Sequence, residues 1–418
     1  MKIFYYGLVM LACLSAAVSG AADEAKPVLR VLHSAQTSYQ GAAVDTIVDT
    51  FSALTGVDID VAHIAYAEQH EHLLEAIGDY DVVAIDQAWL KELTTKELLS
   101  PLTHYQSHSI RNDIMPEVLS AFRIRKELMA FPALLNFQLF FYNRAMIKEA
   151  GFSKAPRTLE ELLEQMMALK NQGIVQYPWT DSWRKGESLL CDYIWLTAAF
   201  GGELFDDNGQ PSFDSTEGVS ALEFMRLLID KQLAHPDILQ NDELAVTDQF
   251  LARKAAFTSN WVFMQGFIRQ ADPPIRSEGA IALLPIADGK SMETVSVSAF
   301  QGLAIPADAA DKALAWQWIA FFTSPLVQRA YLYEMPIWTS LQQSDDAKLF
   351  FPGHDIRHTQ LKNARQRPML DNYSQVSSIL QEHLYAALKG RVLPDEALRQ
   401  AKTEIQSLHK NNGREAQK

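Results

Sequence analysis

Cysteine is almost absent from this sequence of 418 residues, which contains only Cys13 and Cys191. Cys13 falls in an apolar N-terminal stretch, so Cys191 stands alone in the remainder and no intramolecular disulfide is expected there. Its surroundings, "LLCDYIW", are mostly apolar. A lone cysteine in such a setting is typical of a small buried side chain rather than a nucleophile.

Basic residues are outnumbered, with 37 Lys and Arg against 51 Asp and Glu and a formal net charge of −14. A protein that binds nucleic acid through its phosphates needs a basic surface, so the composition argues against nucleic acid as a partner. Long apolar runs are missing after the N-terminal stretch, so no bilayer-spanning helix is expected in the remainder.

Catalytic and metal-binding motifs are also missing. The sequence has no Gly-x-Ser-x-Gly elbow, no phosphate loop and no Cys-His signature, and the paired carboxylates in "FDDNGQP" are typical of a turn. His70 and His72 are two residues apart, which points them to different faces of a helix. His354 and His358 have helical metal spacing but no carboxylate of matching geometry. We therefore predict no metal, no cofactor and no enzymatic activity.

The N-terminus reads "MKIFYYGLVMLACLSAAVSGAADEAKP", in which one lysine precedes an apolar run and then small residues. This pattern predicts a secretory signal peptide at residues 1–22, with cleavage before Ala22 or Asp23, and hence a periplasmic protein. The alternative is a lipoprotein anchored at Cys13. The apolar stretch before Cys13 is short and more signal-like sequence follows it, which favours the form without an anchor.

Strand and helix patterns alternate in the first hundred residues. Residues 28–34 read as a strand, 42–54 as an amphipathic helix and 57–64 as a second strand. A further helix leads to "YDVVAIDQAWL", where the unbroken apolar run predicts a strand buried on both faces. This order predicts right-handed parallel crossovers in a doubly wound α/β lobe.

Helical patterns dominate the rest of the chain. Thr158 and Glu161 predict a capping box at the start of one helix, and "ELAVTDQFLARKAAF" at 243–257 predicts another. Strands are predicted at "GAIALLPI" and "FQGLAIP". The sequence shows no repeat and no low-complexity linker, so we expect the lobes to be joined by strands rather than strung out.

Several segments carry a family resemblance that runs from about residue 28 to 410. They include "DVVAIDQAWLKELTTKELLSPL", "FFYNRAMIKEAGFSKAPRTLEELLE" and "FLARKAAFTSNWVFM". Their order resembles that of the extracellular solute-binding proteins of carbohydrate ABC importers, in particular the maltose/trehalose-binding group. The resemblance implies the two-lobed periplasmic-binding-protein fold, in which each lobe is a mostly parallel sheet flanked by helices and the ligand cleft lies between the lobes.

The resemblance also implies where the chain crosses between lobes. Crossings are expected near Asn136–Tyr142, Ser296–Gly302 and Trp338–Ser344. The implied N-terminal lobe is 23–137 plus 301–340, and the implied C-terminal lobe is 138–300 plus 341–412.

The implied function is capture of a mono- or oligosaccharide by hinge closure and its delivery to the membrane subunits of an ABC importer, by a monomer. One alternative is a receptor for another polar solute, such as a polyol. Another is a secreted carbohydrate-active enzyme, which would need a second carboxylate in the cleft beside Asp86.

Asp86 is the leading polar candidate for ligand binding, because it follows a buried strand directly and ligands bind beyond the carboxyl ends of such strands. The family carries an acidic sugar ligand at this position. The alternative interpretation is an N-cap for the following helix. Glu187 is a weaker candidate, in a loop that could reach the cleft.

Trp261 is the leading aromatic candidate, because an indole can stack on the apolar face of a pyranose and the family places an aromatic residue at this Asn-Trp position. The alternative is a core tryptophan. Phe300 and Gln301 stand where the family often has Gly-Gly-Trp, and Phe300 could still stack. Trp338 could stack on the ligand or fill the hinge.

Three further candidates carry polar side chains. Leu134 and Asn136 replace an aromatic and an acidic residue of the family, a departure that leaves the identity of the sugar open, although Asn136 could bind hydroxyl groups. Tyr39 and Gln40 lie in the loop after the first strand and are either ligand contacts or loop surface.

Overall fold

The structure is a computed structural model that describes residues 26–34, 42–105, 112–206, 208–330, 335–350 and 353–415. The predicted signal peptide, Cys13 and the candidates Tyr39 and Gln40 lie outside these residues.

The strands of the described residues fall into two principal sheets and two short pairs. They are β1 (Val28–Ser34), β2 (Asp58–Ile64), β3 (Val82–Asp86), β4 (Arg123–Ile124), β5 (Glu127–Leu128), β6 (Phe131–Leu134), β7 (Gln138–Asn143), β8 (Phe257–Trp261), β9 (Gly279–Ala282), β10 (Ser296–Val297), β11 (Gln301–Ala304) and β12 (Ala364–Arg365).

Helices flank both sheets. They are α1 (Ala42–Thr55), α2 (Tyr66–Ala76), α3 (Leu90–Thr95), α4 (Pro116–Ser120), α5 (Arg144–Glu149), α6 (Leu159–Asn171), α7 (Glu187–Ala199), α8 (Thr216–Asp230), α9 (Glu243–Leu251), α10 (Met264–Gln270), α11 (Ile275–Glu278), α12 (Lys312–Phe322), α13 (Pro325–Ala330), α14 (Thr339–Gln342), α15 (Asp345–Phe350), α16 (His354–Lys362), α17 (Tyr373–Leu388) and α18 (Pro394–Glu415).

The first sheet has the strand order β2-β1-β3-β11-β6. β1 pairs in parallel with β2 and β3, as the alternation of strands and helices predicts. β11 arrives from late in the chain and is antiparallel to both β3 and β6. All five residues of β3 are buried, which confirms that its apolar run is a strand covered on both faces.

The second sheet has the order β8-β7-β9, and β7 is antiparallel to both neighbours. The prediction of a mostly parallel sheet is therefore wrong for this lobe. The central strand β7 follows β6 after only three residues, so it enters the second lobe directly as a crossing strand, and the later strands β8 and β9 return against it. Successive side chains of β7 point to opposite faces, and Phe140 packs in one hydrophobic core while Phe141 packs in the other.

The helix predicted at 243–257 ends at Leu251, and β8 begins at Phe257. Arg253 adopts a left-handed φ of 60°, and the amide of Lys254 donates to the carbonyl of Gln249. This is a left-handed helix terminus of the kind that glycine usually marks. Because an arginine occupies the position, the sequence gives no local sign of the stop.

The capping box at α6 is present with one difference. Thr158 Oγ1 accepts from the amide of Glu161 at 3.1 Å, as predicted. The Glu161 carboxylate accepts from the amide of Arg157 instead of that of Thr158. The Leu159 amide donates to the carbonyl of Ile286, so the start of α6 is also fixed to the segment after β9.

Two crossing segments lie side by side between the sheets. The Ala299 amide donates to the carbonyl of Asn136, and Phe137 forms a β-bridge with Ser298. Near the last predicted crossing, Trp338 forms a bridge with Ile114 of the first lobe. Two cores and two sheets joined in this way form a two-lobed α/β architecture, as predicted. The residue limits of the lobes stay a prediction.

Gly218 in α8 allows a close approach that no larger residue could make. A Cβ atom there would lie 1.8 Å from the carbonyl oxygen of Phe213 and 2.8 Å from the hydroxyl of Tyr193. In an open helix, Gly→Ala gains about 0.5–1 kcal/mol, but here we expect Gly218→Ala to lose about 1–3 kcal/mol because backbone must move. Urea unfolding measures the change, with Ser220→Ala on the same helix as the control. Equal stability of Gly218→Ala and the wild type would contradict the close packing.

Candidate functional site

Asp86 is the last residue of β3, and its side chain is buried. Its Oδ1 accepts from the amide of Ala88 at 2.8 Å, so it caps the short 3-10 helix Gln87–Trp89. The N-cap contact considered in the sequence is therefore present. The rest of its hydrogen-bonding capacity is also used, by Tyr66 and Arg367. Tyr66 donates its hydroxyl to Oδ2 at 2.9 Å.

Arg367 lies in the segment between β12 and α17 and is the centre of the site. Its Nη2 donates to both carboxylate oxygens of Asp86, and its Nη1 donates to Glu187 Oε1 at 2.9 Å and to Tyr66 Oη at 3.2 Å. Its Nε donates to the carbonyl of Ser298 at 3.2 Å. An arginine has five N–H donors, and these five contacts use all of them.

Glu187 is the first residue of α7, where the helix dipole favours a negative charge. Besides Arg367, its carboxylate accepts from three side chains of α17. These are the hydroxyl of Tyr373, the hydroxyl of Ser377 at 2.6 Å and the amide of Gln381 at 3.4 Å. We call Asp86, Tyr66, Arg367, Glu187 and Tyr373 the arginine cluster.

Burial sets the electrostatics of the arginine cluster. The Arg367 and Asp86 side chains have no solvent exposure. Burial is the largest single effect on Arg367 and opposes its charge, but Asp86, Tyr66, Tyr373 and Cys191 together outweigh it and raise the pKa of Arg367 well above its ordinary value. Burial, followed by the adjacent carboxylates, raises the pKa values of Tyr66 and Tyr373. Both phenols therefore remain donors.

An open cleft of about 500 Å³ lies beside the arginine cluster. Gln366, which precedes Arg367, lines it and donates to the carbonyl of Glu117 at 3.1 Å. Its lining comes from α4, α14, α16 and β12 and from Phe300, just before β11. The lining residues are Met115, Pro116, Glu117, Val118, Phe300, Thr339, Gln343, His358, Leu361, Lys362, Ala364 and Gln366.

The structure brings several predicted residues together at this place. Asp86 and Glu187 share Arg367, and Gln301 lies directly opposite Asp86 in the pairing of β11 with β3. Phe300 lines the cleft, and its carbonyl accepts from the amide of Gln87 at 3.0 Å. The ligand-binding roles of these residues stay predictions.

Other predicted residues take no part in the contacts of the arginine cluster described above. Trp261 ends β8 opposite Gln138 and is 6% exposed in the second core. Trp338 is 7% exposed in the first core, and its indole N–H donates to the carbonyl of Thr323 at 2.7 Å. The placement of Trp261 corresponds to its core alternative, and Trp338 packs in the first core near the last predicted crossing. The ligand-binding roles of both stay predictions. Asn136 carries a buried Oδ1 that has no hydrogen-bond partner among the described residues.

Sequence reasoning missed Arg367, Tyr66 and Tyr373. "NARQRPML" reads as an exposed basic segment, and nothing in it marks one arginine as buried. The one available signal is indirect. Once Asp86 is placed at a buried strand end and Glu187 at a half-buried helix start, the two carboxylates require a cation or several donors to compensate them.

A second buried polar group, the carboxyl pair, lies under β7 and β8. It consists of the buried side chains of Asp181 and Asp192, which both lie within hydrogen-bond distance of Ser259 Oγ. Gln138 Nε2 donates to Asp192 at 2.6 Å, and Ser259 Oγ donates to Asp181 at 2.7 Å. Burial raises the pKa of Asp181 to about 7, and burial together with the charge of Asp181 raises that of Asp192 well above its ordinary value.

Two further findings concern only the part of the chain that the structure describes. No group of three or more His, Cys, Asp and Glu side chains there has an arrangement that could hold a metal ion. No helix in the same part combines the length and the apolar character needed to cross a bilayer.

Among proteins of known sequence, the chain is similar to two ABC transporter components. It is 26% identical over 208 residues to the "Probable amino-acid ABC transporter periplasmic-binding protein y4oP" of Sinorhizobium fredii. The matched region covers 47% of this chain and 47% of that protein. It is 22% identical over 340 residues to the "Probable ABC transporter-binding protein" of Deinococcus radiodurans. That matched region covers 77% of this chain and 78% of the relative. The chain thus spans about half the length of the first relative.

Solved structures show the same fold. Maltose-bound T. maritima MalE3 superposes with a TM-score of 0.84 at 22% identity, over 91% of this chain and 99% of that one. A solute-binding protein of Thermotoga lettingae with bound α-D-tagatose superposes with a TM-score of 0.82 at 24% identity, over 91% of this chain and 99% of that one. A solute-binding protein of Agrobacterium radiobacter with ribitol superposes with a TM-score of 0.81 at 22% identity, over 91% of this chain and 98% of that one. At these identities the likeness establishes the two-lobed fold.

A family model described as "Bacterial extracellular solute-binding protein" matches residues 46–351, which is well over half of the chain. The chain therefore belongs to the bacterial extracellular solute-binding protein family.

Proposed function

We propose that this protein captures a neutral polyhydroxy solute, a sugar or a polyol, in the cleft beside the arginine cluster and delivers it to the membrane subunits of an ABC importer. The cleft carries the proposal. Its lining residues come from several separate parts of the chain, and its volume of about 500 Å³ suits a small-molecule ligand. The bound maltose, tagatose and ribitol of the structural neighbours support this class of solute.

The lining of the cleft matches the chemistry of such solutes. Thr339, Gln343 and Gln366 each carry both donors and acceptors, as do the hydroxyl groups that they would bind. Phe300 offers an apolar face for the C–H side of a sugar ring. Lys362 adds a donor that can form a charge-assisted hydrogen bond with a hydroxyl group.

The arginine cluster argues against the enzymatic alternative. A glycosidase needs one carboxyl group that donates a proton and one that attacks or activates water. The carboxylates of Asp86 and Glu187 both bind Arg367 and are committed to other donors as well. Neither is available for proton transfer in this arrangement.

The location and the division of the chain are part of the proposal. Residues 1–22 act as a signal peptide that directs the protein to the periplasm without a lipid anchor at Cys13. The N-terminal lobe then consists of 23–137 and 301–340, and the C-terminal lobe of 138–300 and 341–412. The sheet memberships of β1, β7 and β11 support this division.

A thermal melt of the processed protein against maltose, D-tagatose, ribitol and related compounds tests the function. A solute at a hundred times its dissociation constant adds about 2.7 kcal/mol to the free energy of unfolding. Removing two neutral hydrogen-bonding side chains by Thr339→Val and Gln343→Ala should then weaken binding by about 1–3 kcal/mol.

Thr403→Val on the exposed face of α18 is the matched control and should leave binding unchanged. If no saccharide or polyol shifts the melt, the proposed function is wrong. Release of sugar fragments from an oligosaccharide would instead support the enzymatic alternative.

A further inference from the structure

The arginine cluster connects the two lobes. Asp86 and Tyr66 belong to β3 and α2 of the first sheet and its helices. Glu187 and Tyr373 begin α7 and α17, whose later buried residues pack in the second core, although the Tyr373 ring itself packs in the first. Arg367 binds both sides at once through one guanidinium group.

The cluster is complete without a solute. The two oxygens of Asp86 receive hydrogens from Ala88, Tyr66 and Arg367, with both oxygens bound to the guanidinium. The oxygens of Glu187 receive four hydrogen bonds, two each. A carboxylate offers about four lone-pair positions, so a hydroxyl group of a solute could reach either carboxylate only by displacing a present donor.

Weaker contacts surround the cluster and join the same two parts of the chain. Asp371, just before α17, accepts from Thr95 Oγ1 at 2.8 Å and pairs with Lys91 at 3.3 Å. Ser374 Oγ lies 3.1 Å from His70 Nε2. These contacts are more exposed, so each contributes little alone, but they join the same two parts of the chain as Arg367.

We propose that Arg367 is an internal tether that holds the lobes together before any solute binds and keeps Asp86 and Glu187 from solute hydroxyl groups. The Arg367 and Asp86 side chains have no solvent exposure and Glu187 is only partly exposed, so the contacts of this guanidinium with the two carboxylates break only when the lobes separate and water reaches all three groups. The cleft lined by Gln366 and Lys362 is then the place that receives the solute, and a solute that binds Asp86 must first release Arg367.

Small-angle scattering of the processed, solute-free protein tests the tether. A compact chain of this length has a radius of gyration of about 22 Å. We expect Arg367→Gln to increase the radius by on the order of 1 Å, because the lobes separate at the crossing segments. Arg399→Gln is the matched control. It removes the same charge from an exposed pair with Asp395 and Glu396, and its radius should equal that of the wild type.

Equal radii for folded Arg367→Gln and the wild type would overturn the proposal. If Arg367→Gln does not fold, Glu187→Gln and Tyr373→Phe decide the question by the same comparison. Both weaken the cluster without leaving a buried cation unpaired, and unchanged radii in both would also overturn it. Since no solute is present, the result is independent of whether sugars bind.

Discussion

Replacing Asp86 with alanine is expected to lower the free energy of unfolding by about 3–5 kcal/mol, because the change leaves the buried guanidinium of Arg367 without its main partner. The loss of an N-cap alone would remove only about 1 kcal/mol. Urea unfolding at pH 7 without solute distinguishes these values. The position of Asp86 at a strand end predicts a side chain that mainly affects binding, whereas its contacts predict one that affects stability first.

A double-mutant cycle separates the ion pair from the cap. Asp86→Ala combined with Arg367→Met removes both charges, so the double variant should be more stable than Asp86→Ala alone. Asp86→Asn retains an acceptor for the Ala88 amide and should fall between the wild type and Asp86→Ala. If Asp86→Ala loses only about 1 kcal/mol, the cap is its main role and the arginine cluster contributes little.

Asp192→Asn is expected to stabilise the protein above neutral pH and to have little effect near pH 5. The folded carboxyl pair holds protons at pH values where the unfolded chain has lost them, because the pKa of Asp181 is raised from 3.8 to about 7 and the pKa of Asp192 is raised well above its ordinary value. The folded state therefore binds more protons, so the stability of the wild type falls as the pH rises from about 4 through about 7. The slope is about 1.4 kcal/mol per pH unit for each extra proton.

The difference in unfolding free energy between Asp192→Asn and the wild type isolates the contribution of the Asp192 proton to stability. It should grow from pH 5 to pH 8 by up to about 4 kcal/mol, since the asparagine can donate to Asp181 and still accept from Gln138. Asp355→Asn removes a fully exposed carboxylate and should show a flat difference over the same range. A flat difference for Asp192→Asn as well would mean that the pair does not retain protons in the folded state.

The first lobe is the part that local sequence patterns predict well. β1, β2 and β3 fall within a residue or two of the predicted segments, because each is a short apolar or alternating run and Gly56 ends the intervening helix with a φ of 75°. β8 was missed because its preceding helix stops at an arginine in a left-handed conformation. The direction of β7 could not be inferred from its composition, since an apolar run does not show which way its partners run.

The candidate site was predictable only in its acidic half. Asp86 follows a buried strand that the sequence marks clearly. Glu187 was named as a candidate, but its placement in a loop is wrong, because it is the first residue of α7. Arg367 is 281 residues from Asp86 along the chain, and its contact depends on how two lobes meet. A local sequence pattern carries no information about a contact between residues of different lobes. The same holds for Asp181 and Asp192, whose proximity requires β7 and β8 to be in register.

The place of β11 between β3 and β6 has a consequence for the order in which the molecule can form during synthesis. A nascent chain that ends before Gln301 contains β3 and β6 but not the strand that joins them. Both strands then present unpaired edges while the ribosome adds the whole of the second sheet. The first sheet therefore cannot be completed as its early strands emerge. It stays incompletely paired until roughly three quarters of the chain has been translated.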